Sequence, residues 1–136
     1  MNWILPKTKI NEEMIKKVEE KFNILFPEDF KEVILKYNGA SPIKMAYDTE
    51  KTKERVAEYL LSFSPNDLDN IYEAYDSIKE RGFKELIPIM RDPFGNFICY
   101  DFTNKSNPKI MFWNHENNDV EYIANSFKEF LGKLYE

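Results

Sequence analysis

The chain has only one cysteine, Cys99, and one histidine, His115, among its 136 residues. A single cysteine cannot form an intramolecular disulfide, which fits a reducing cytoplasm. One histidine and one cysteine also cannot supply the usual nitrogen and sulfur ligands of a zinc site. Because Cys99 lies within an apolar segment, we expect it to be a small core residue rather than a reactive thiol.

The sequence also lacks an apolar run long enough to span a bilayer, and its start shows no basic region followed by an apolar core. We therefore expect a soluble, cytoplasmic protein that makes no membrane contact. Its 24 acidic and 19 basic residues give a formal net charge of −5, with the lysines spread among acids. This balance argues against direct nucleic-acid binding, because phosphates require a concentrated basic face.

The length predicts a single domain, residues 1–136, with one hydrophobic core. Aromatic residues make up 15% of the chain. A domain of this size need not bury all of them, so some are candidates for anchoring a partner protein.

Three consecutive apolar runs, 86–90, 96–102 and 109–113, predict an antiparallel β-meander, because they are rich in β-branched and aromatic residues and are separated by turn signals. The first turn, 92–95, has Asp92 at its first position, a proline with fixed φ at its second, and Gly95 where φ must be positive. This pattern predicts a type I turn closed by a glycine bulge.

Four helices are predicted from capping signals and apolar periodicity. Asn11 is the N-cap of the first, Pro27 suits the first position of the second, which ends at Gly39, and Ser126 opens the last with a capping box. The third is predicted to start at 64–67 and to end at Gly82. Its predicted buried face consists of Leu68, Ile71, Tyr75 and Ile78.

Two further strands, 43–47 and 56–63, are predicted on either side of a polar loop, with a short segment at 120–122. Strands joined by short turns are antiparallel, and helices grouped at the ends of the chain must cover a sheet face. The predicted fold class is therefore α+β, a single antiparallel meander with helices packed on it.

Four segments in this order resemble the SUKH superfamily, which includes a fungal cell-wall synthesis regulator and many bacterial immunity proteins. No single segment is specific, but their order along most of the chain is. They are Phe26-Pro27-Glu28-Asp29-Phe30 with Asn38-Gly39, Ile87-Pro88-Ile89 with Gly95-Asn96 and Ile98-Cys99-Tyr100-Asp101, Trp113 with His115-Glu116, and Ala124 to Leu131.

The resemblance implies a SUKH-like fold and a non-enzymatic protein that neutralises a cognate toxin by covering it, without a cofactor or metal. A basic toxin such as a nuclease would suit the acidic charge. The partner would then meet residues in predicted loops, turns and strand ends, and no catalytic residues are expected. The candidate partner-binding residues are Asp48, Glu50, Glu54, Asp92, Phe94, Trp113, Glu116 and Asp119.

Several alternatives remain open at this point. Phe94 at a turn apex either folds back onto the core or contacts a partner, and Trp113 is either a core residue or the floor of a partner site. The protein could instead be a regulator-like scaffold that binds cellular proteins, or, with less support, a carboxylate-based hydrolase with His115 as a candidate base. We expect a monomer or a weak homo-oligomer.

Overall fold

A five-stranded antiparallel sheet lies at the centre of the computed structural model, which describes residues 2–136. The helices are α1 (Glu12–Phe22), α2 (Glu28–Tyr37), α3 (Ile71–Glu80) and α4 (Phe127–Gly132). The strands are β1 (Trp3–Ile4), β2 (Ser41–Pro42), β3 (Ala46–Tyr47), β4 (Arg55–Val56), β5 (Tyr59–Leu60), β6 (Leu86–Arg91), β7 (Phe97–Asp101), β8 (Lys109–Trp113) and β9 (Val120–Ala124).

The predicted α+β class and the meander are confirmed. The main sheet has the order β5-β6-β7-β8-β9, and every neighbouring pair is antiparallel. The three predicted meander strands become β6, β7 and β8, and the segment from residue 120 becomes β9. The prediction of a single sheet was incomplete, because β1 pairs with β2 and β3 pairs with β4 in two further two-stranded sheets.

The predicted strand at 56–63 is divided because the backbone changes partner within it. Ala57 donates its N–H to the Met45 carbonyl at 2.8 Å, which continues the β3-β4 pair. The next residue, Glu58, donates to the Arg91 carbonyl at 2.9 Å, which begins the pairing with the main sheet. One extended segment therefore serves two sheets, and the predicted strand 43–47 contributes only β3.

Alternate residues of the main sheet face two different clusters, as the two-residue period of a strand requires. One face carries the main core, where Tyr100 contacts Phe30 of α2 and Phe30 contacts Phe127 of α4. The opposite face carries a smaller cluster in which Cys99 and Ile78 of α3 are fully buried. The predicted core position of Cys99 is confirmed, and burial raises the pKa of its thiol well above the usual value.

The helix caps at Asn11 and Ser126 are confirmed. Asn11 Oδ1 accepts the Met14 N–H at 3.0 Å, and Ser126 Oγ accepts the Glu129 N–H at 3.0 Å. Gly39 and Gly82 have the positive φ values, 76° and 96°, expected after α2 and α3. Pro27 lies one residue earlier than predicted, as the N-cap of α2.

The predicted start of α3 at residues 64–67 was wrong. The helix begins at Ile71, and Asn70 is its N-cap, since Asn70 Oδ1 accepts the Glu73 N–H at 2.9 Å. Residues 64–69 form turns and bends instead. Leu68, predicted to be on the buried face, is consequently 92% exposed.

Candidate partner-binding surface

The turn between β6 and β7 is held by four hydrogen bonds that join Asp92 to Phe94 and Asn96. The Asp92 carboxylate accepts the N–H groups of Phe94 and Asn96 and the side-chain amide of Asn96, each at 2.8 Å. Asp92 also donates its own N–H to the Asn96 carbonyl at 3.0 Å. Gly95 has φ +90°, as the predicted turn requires.

The prediction that Asp92 contacts a partner is corrected by this geometry. Its side chain is only 3% exposed, and both carboxylate oxygens are used within the turn. An aspartate that accepts the backbone N–H groups of following residues stabilises the turn itself. Asp92 therefore shapes the surface and does not present a charge on it.

Phe94, at the apex of the same turn, is 70% exposed. Of the two alternatives for this residue, the structure selects the one in which the ring points away from the core. Since the turn is closed on both sides by hydrogen bonds, the ring is displayed on fixed backbone.

The turn between β8 and β9 lies beside the first turn. Asn96 Oδ1 accepts the backbone N–H of His115 at 2.9 Å and lies 2.7 Å from its ring Nδ1. Arg81, at the end of α3, donates to the His115 carbonyl at 2.8 Å. The two turns, residues 92–95 and 114–119, therefore form one surface, the hairpin end of the sheet, on which Glu116 and Asp119 are both exposed.

The loop between β3 and β4 is fastened to the outer strand β9. Lys51 donates its N–H to Glu121 at 3.3 Å, and Arg55 forms an ion pair with the same carboxylate at 3.2 Å. Because Glu121 follows the hairpin end by two residues, this loop flanks that surface.

Three of the candidate residues, Asp48, Glu50 and Glu54, are exposed on this loop. The Tyr135 hydroxyl and the Glu54 N–H both donate to Asp48 and hold the pKa of its carboxyl below the usual value. Lys51 and Lys53 alternate with the acids, which leaves residues 48–54 with a net charge of only −1. The acidic surface at the hairpin end is therefore carried mainly by its own turn.

The sequence matches the model of a known protein family. Residues 12–131 match the model of the family SUKH_6, described as SMI1-KNR4 cell-wall. The chain belongs to the SUKH superfamily. It is also similar to the SPbeta prophage-derived uncharacterized protein YokK of Bacillus subtilis (strain 168), with 29% identity over 149 aligned residues that cover 90% of this chain and 73% of that protein.

In this SUKH domain, the segments that carried the resemblance build the scaffold. Phe26 is buried just before α2 and Phe30 within it, and Phe127 and Phe130 are buried on α4. The strand segments form β6 and β7, and the Gly95-Asn96 pair lies in the turn between them. The family signature is thus mostly core and turn geometry, and Glu116 is the one exposed candidate residue that lies within it.

Trp113 is also part of the core of this SUKH domain. It is 2% exposed, and its ring stacks on Phe97 at a centroid distance of 5.8 Å. The Arg81 guanidinium lies 5.7 Å from the Trp113 ring centroid. Of the two alternatives for Trp113, the structure selects the core residue, and the prediction that it contacts a partner is corrected.

Leu68, predicted on the buried face of the third helix, belongs instead to the surface. It lines a cavity of about 200 Å³ together with Gly95, which follows Phe94, and with Phe97. The missed signal is the Asn70-x-x-Glu73 cap, which starts α3 later and leaves Leu68 on the preceding turn.

A polar network lies beside this cavity. The Arg91 guanidinium pairs with Asp69 at 3.1 Å and with Glu58 at 3.2 Å, and Tyr59 donates its hydroxyl to Asp69. Burial, followed by the bond to Asp69, raises the pKa of Tyr59 to about 12. Burial raises the pKa of Asp69 as well, but the hydrogen bond from Tyr59 and the charge of Arg91 outweigh it, so that the pKa of Asp69 is lowered.

Within residues 2–136, no group of three or more His, Cys, Asp or Glu side chains is arranged to hold a metal ion. Over the same residues, every helix is too short or too polar to cross a membrane.

Proposed function

We propose that this SUKH protein is an immunity-type binding protein that neutralises a cognate toxin by covering it, without catalysis and without a cofactor. The observation that carries the proposal is Phe94, a large apolar side chain that is 70% exposed on a turn fixed by four hydrogen bonds. Large aromatic side chains of this kind dominate the binding energy of protein interfaces.

The fixed turn favours tight binding because little conformational entropy is lost when the partner arrives. A rigid, correctly shaped surface avoids the ordering cost that a mobile loop would incur. Burying a phenylalanine side chain is worth about 1.5–3 kcal/mol. In the free protein, Phe94 leaves most of that free energy unused, and it becomes available on contact with a partner.

The charge of the hairpin end indicates the kind of toxin. Glu116 and Asp119 are exposed at the same end of the sheet as Phe94, Arg81 offsets one of their two charges, and the whole chain carries a net charge of −5. An acidic surface accelerates association with a basic one and suppresses binding to acidic partners. A nuclease, whose working surface must be basic to bind phosphates, fits this charge.

The comparisons support a binding role at two levels. The similarity to a prophage-derived protein supports a role connected with mobile elements. The family description, cell-wall, favours a second candidate, in which the same surface binds a cellular protein as a regulator-like scaffold. The two candidates differ in the partner and share the exposed Phe94.

The decisive experiment is co-expression with the protein encoded next to this one, scored by growth and by co-purification. We expect restored growth and a stable complex. In vitro, inhibition of the toxin should become complete when one equivalent of the binder has been added. Toxin inactivation by far less than one equivalent would show that the protein is an enzyme. A neighbour that is not toxic, or that forms no complex, would contradict the immunity role.

The contact surface is tested by Phe94→Ser with Leu25→Ser as the matched control. Leu25 is 75% exposed, but it lies near Lys105 and Ser106, in the β7-β8 turn at the opposite end of the sheet. We expect Phe94→Ser to weaken the complex at least tenfold, because it removes an aromatic anchor. Leu25→Ser should leave the affinity unchanged, and equal effects of both variants would contradict the assignment of the surface.

A further inference from the structure

The cavity lined by Leu68 and Gly95 combines an apolar wall with an acidic one. The apolar wall consists of side chains from three parts of the fold, Leu61, Leu68, Ala74 and Phe97. The other wall is the first two turns of α3, where Glu73 and Ser77 line the cavity. The volume of about 200 Å³ is below the range of about 300–1,000 Å³ typical of small-molecule sites.

The charge beside the cavity is only partly neutralised within the protein. Arg91 also lines the cavity, but Asp69 and Glu58 already pair with it. Glu73 forms none of the ion pairs found among residues 2–136. Lys7 adds a second positive charge, because its ammonium lies 4.2 Å from the Tyr59 ring centroid and acts on Asp69. With Glu73 included, three carboxylates stand against two cations, which leaves a local net charge of −1.

The rest of the exposed face of α3 adds to this charge. Asp76 and Glu80 follow Glu73 at spacings of three and seven residues, which places the three carboxylates on neighbouring turns of one side of the helix. All three are exposed. Lys79 is the sole basic residue between positions 67 and 80. A negative field therefore extends from the cavity along α3.

We infer that this cavity receives a long basic side chain, an arginine in preference to a lysine, from the partner protein. Basic side chains have an apolar stem and a charged head. The stem covers apolar surface while the head stays in a polar environment. The stem would lie against Leu68 and Phe97, and the head would reach Glu73. Arginine fits better because its guanidinium is more weakly hydrated and presents several donors to carboxylates.

Two exposed apolar residues border the entrance and favour a protein as the source of this side chain. Leu68 is 92% exposed, and Phe94 directly precedes Gly95 on the cavity wall. Apolar side chains at the rim of a charged contact reduce its access to water and thereby strengthen it. This inference rests on the proposed function for the identity of the partner, but the chemistry of the cavity can be tested without any toxin.

The test is an NMR titration of the ¹⁵N-labelled protein with the peptide acetyl-Ser-Arg-Leu-Ser-amide. The matched control peptide has citrulline in place of arginine, which keeps the shape and removes the charge, and a third peptide has lysine. We expect saturable shifts of the amides of residues 68–77 and 94–97 with the arginine peptide, weaker ones with lysine, and none with citrulline. No saturable shift, or equal shifts with citrulline, would overturn the inference.

Variants locate the binding. Glu73→Gln should weaken the arginine peptide about two- to fivefold, the effect expected from loss of an exposed ion pair. Leu68→Ser should weaken peptide binding, because it removes the apolar contact with the stem of the arginine side chain. Glu32→Gln is the control, because Glu32 is exposed on α2 and lines a different cavity. Equal weakening by Glu32→Gln would show that the peptide binds by general charge alone and would overturn the inference.

Failure of this inference is distinguishable from failure of the proposed function. A toxin complex that forms and is unaffected by Glu73→Gln, together with no peptide shift, overturns the cavity assignment and leaves immunity standing. Peptide binding without any toxin complex contradicts immunity and retains the cavity as a site for basic side chains.

Discussion

Asn96 joins the two turns of the hairpin end through one amide oxygen, which contacts both the backbone N–H and the ring Nδ1 of His115 at 2.9 and 2.7 Å. The amide nitrogen of the same side chain donates to Asp92 at 2.8 Å. Asn96 is 6% exposed, so these polar groups have little water to replace a lost partner. This side chain therefore ties the two turns together in addition to the neighbouring pairing of Phe97 with Trp113.

Replacing Asn96 by Ala should destabilise the protein by about 1–3 kcal/mol, because buried donors and an acceptor lose their partner. Urea denaturation measures the change. The variant should also weaken partner binding while Phe94 remains exposed, since the turn below it loosens. An unchanged free energy of unfolding would contradict the role given to Asn96.

Gly95→Ala should cost about 1–3 kcal/mol, because φ +90° is unfavourable for any residue with a Cβ. The space itself is adequate, since the added Cβ would lie 3.4 Å from the His115 ring. Gly95→Val should be worse, because a β-branched residue resists positive φ more strongly. Gly132→Ala is the matched control, with nothing within 4 Å of its added Cβ, and thermal melting should show it to be neutral. Equal melting temperatures for both alanine variants would refute the turn assignment.

Reversing the charges of Glu116 and Asp119 to Lys should leave the fold intact and slow association with a basic toxin. Both residues are exposed, so the free energy of unfolding should change by less than about 0.5 kcal/mol. The loss of association rate should shrink at high salt, because screening weakens exposed charges. Stopped-flow mixing at two ionic strengths measures it, and a rate that does not respond to either change would remove this turn from the interface.

Asp92→Lys is the contrasting variant, because Asp92 is buried and bonded within its turn. Unlike the reversal at Glu116 and Asp119, it should destabilise the protein by about 1–3 kcal/mol or more. Circular dichroism during urea denaturation separates the two outcomes.

The raised pKa of Tyr59 predicts that the stability of the protein depends on pH in the alkaline range. Its pKa is raised from 10.0 to about 12 in the folded state, so the folded state holds the proton more tightly than the unfolded one. The resulting stabilisation is fully present below pH 10 and is lost as the pH rises through about 12. In Tyr59→Phe, the decline in unfolding free energy between these values should be smaller than in the wild type. Tyr122→Phe, on the outer strand, is the control, and an identical profile for Tyr59→Phe and the wild type would contradict the assignment.

The meander was predictable because each of its strands is bounded by a local turn signal. Asp92, Gly95 and Pro108 mark the ends of runs that pair with their sequence neighbours, so no long-range information was needed. The segment around Ala57 was not predictable in this way. Its change of partner depends on where Met45 and Arg91 lie in the fold, and its sequence reads as one continuous strand.

The exposure of individual candidate residues was harder to predict than the elements that carry them. Asp92 and Glu116 are both acids in hairpin turns, yet one is buried by its own turn bonds and the other is exposed. Leu68 fitted the apolar period of the predicted helix, but the cap at Asn70 overrode that period. Side-chain exposure depends on backbone conformation within one or two residues, where sequence patterns are least reliable.

The bonding of the 92–95 turn has a consequence for how such proteins diversify. None of its four hydrogen bonds uses the side chain of Pro93 or Phe94. The apex residue can therefore be exchanged by mutation while Asp92, Gly95 and Asn96 continue to fold the hairpin. Under the proposed function, a lineage could acquire a new target by drift at position 94 without first having to regain a foldable scaffold.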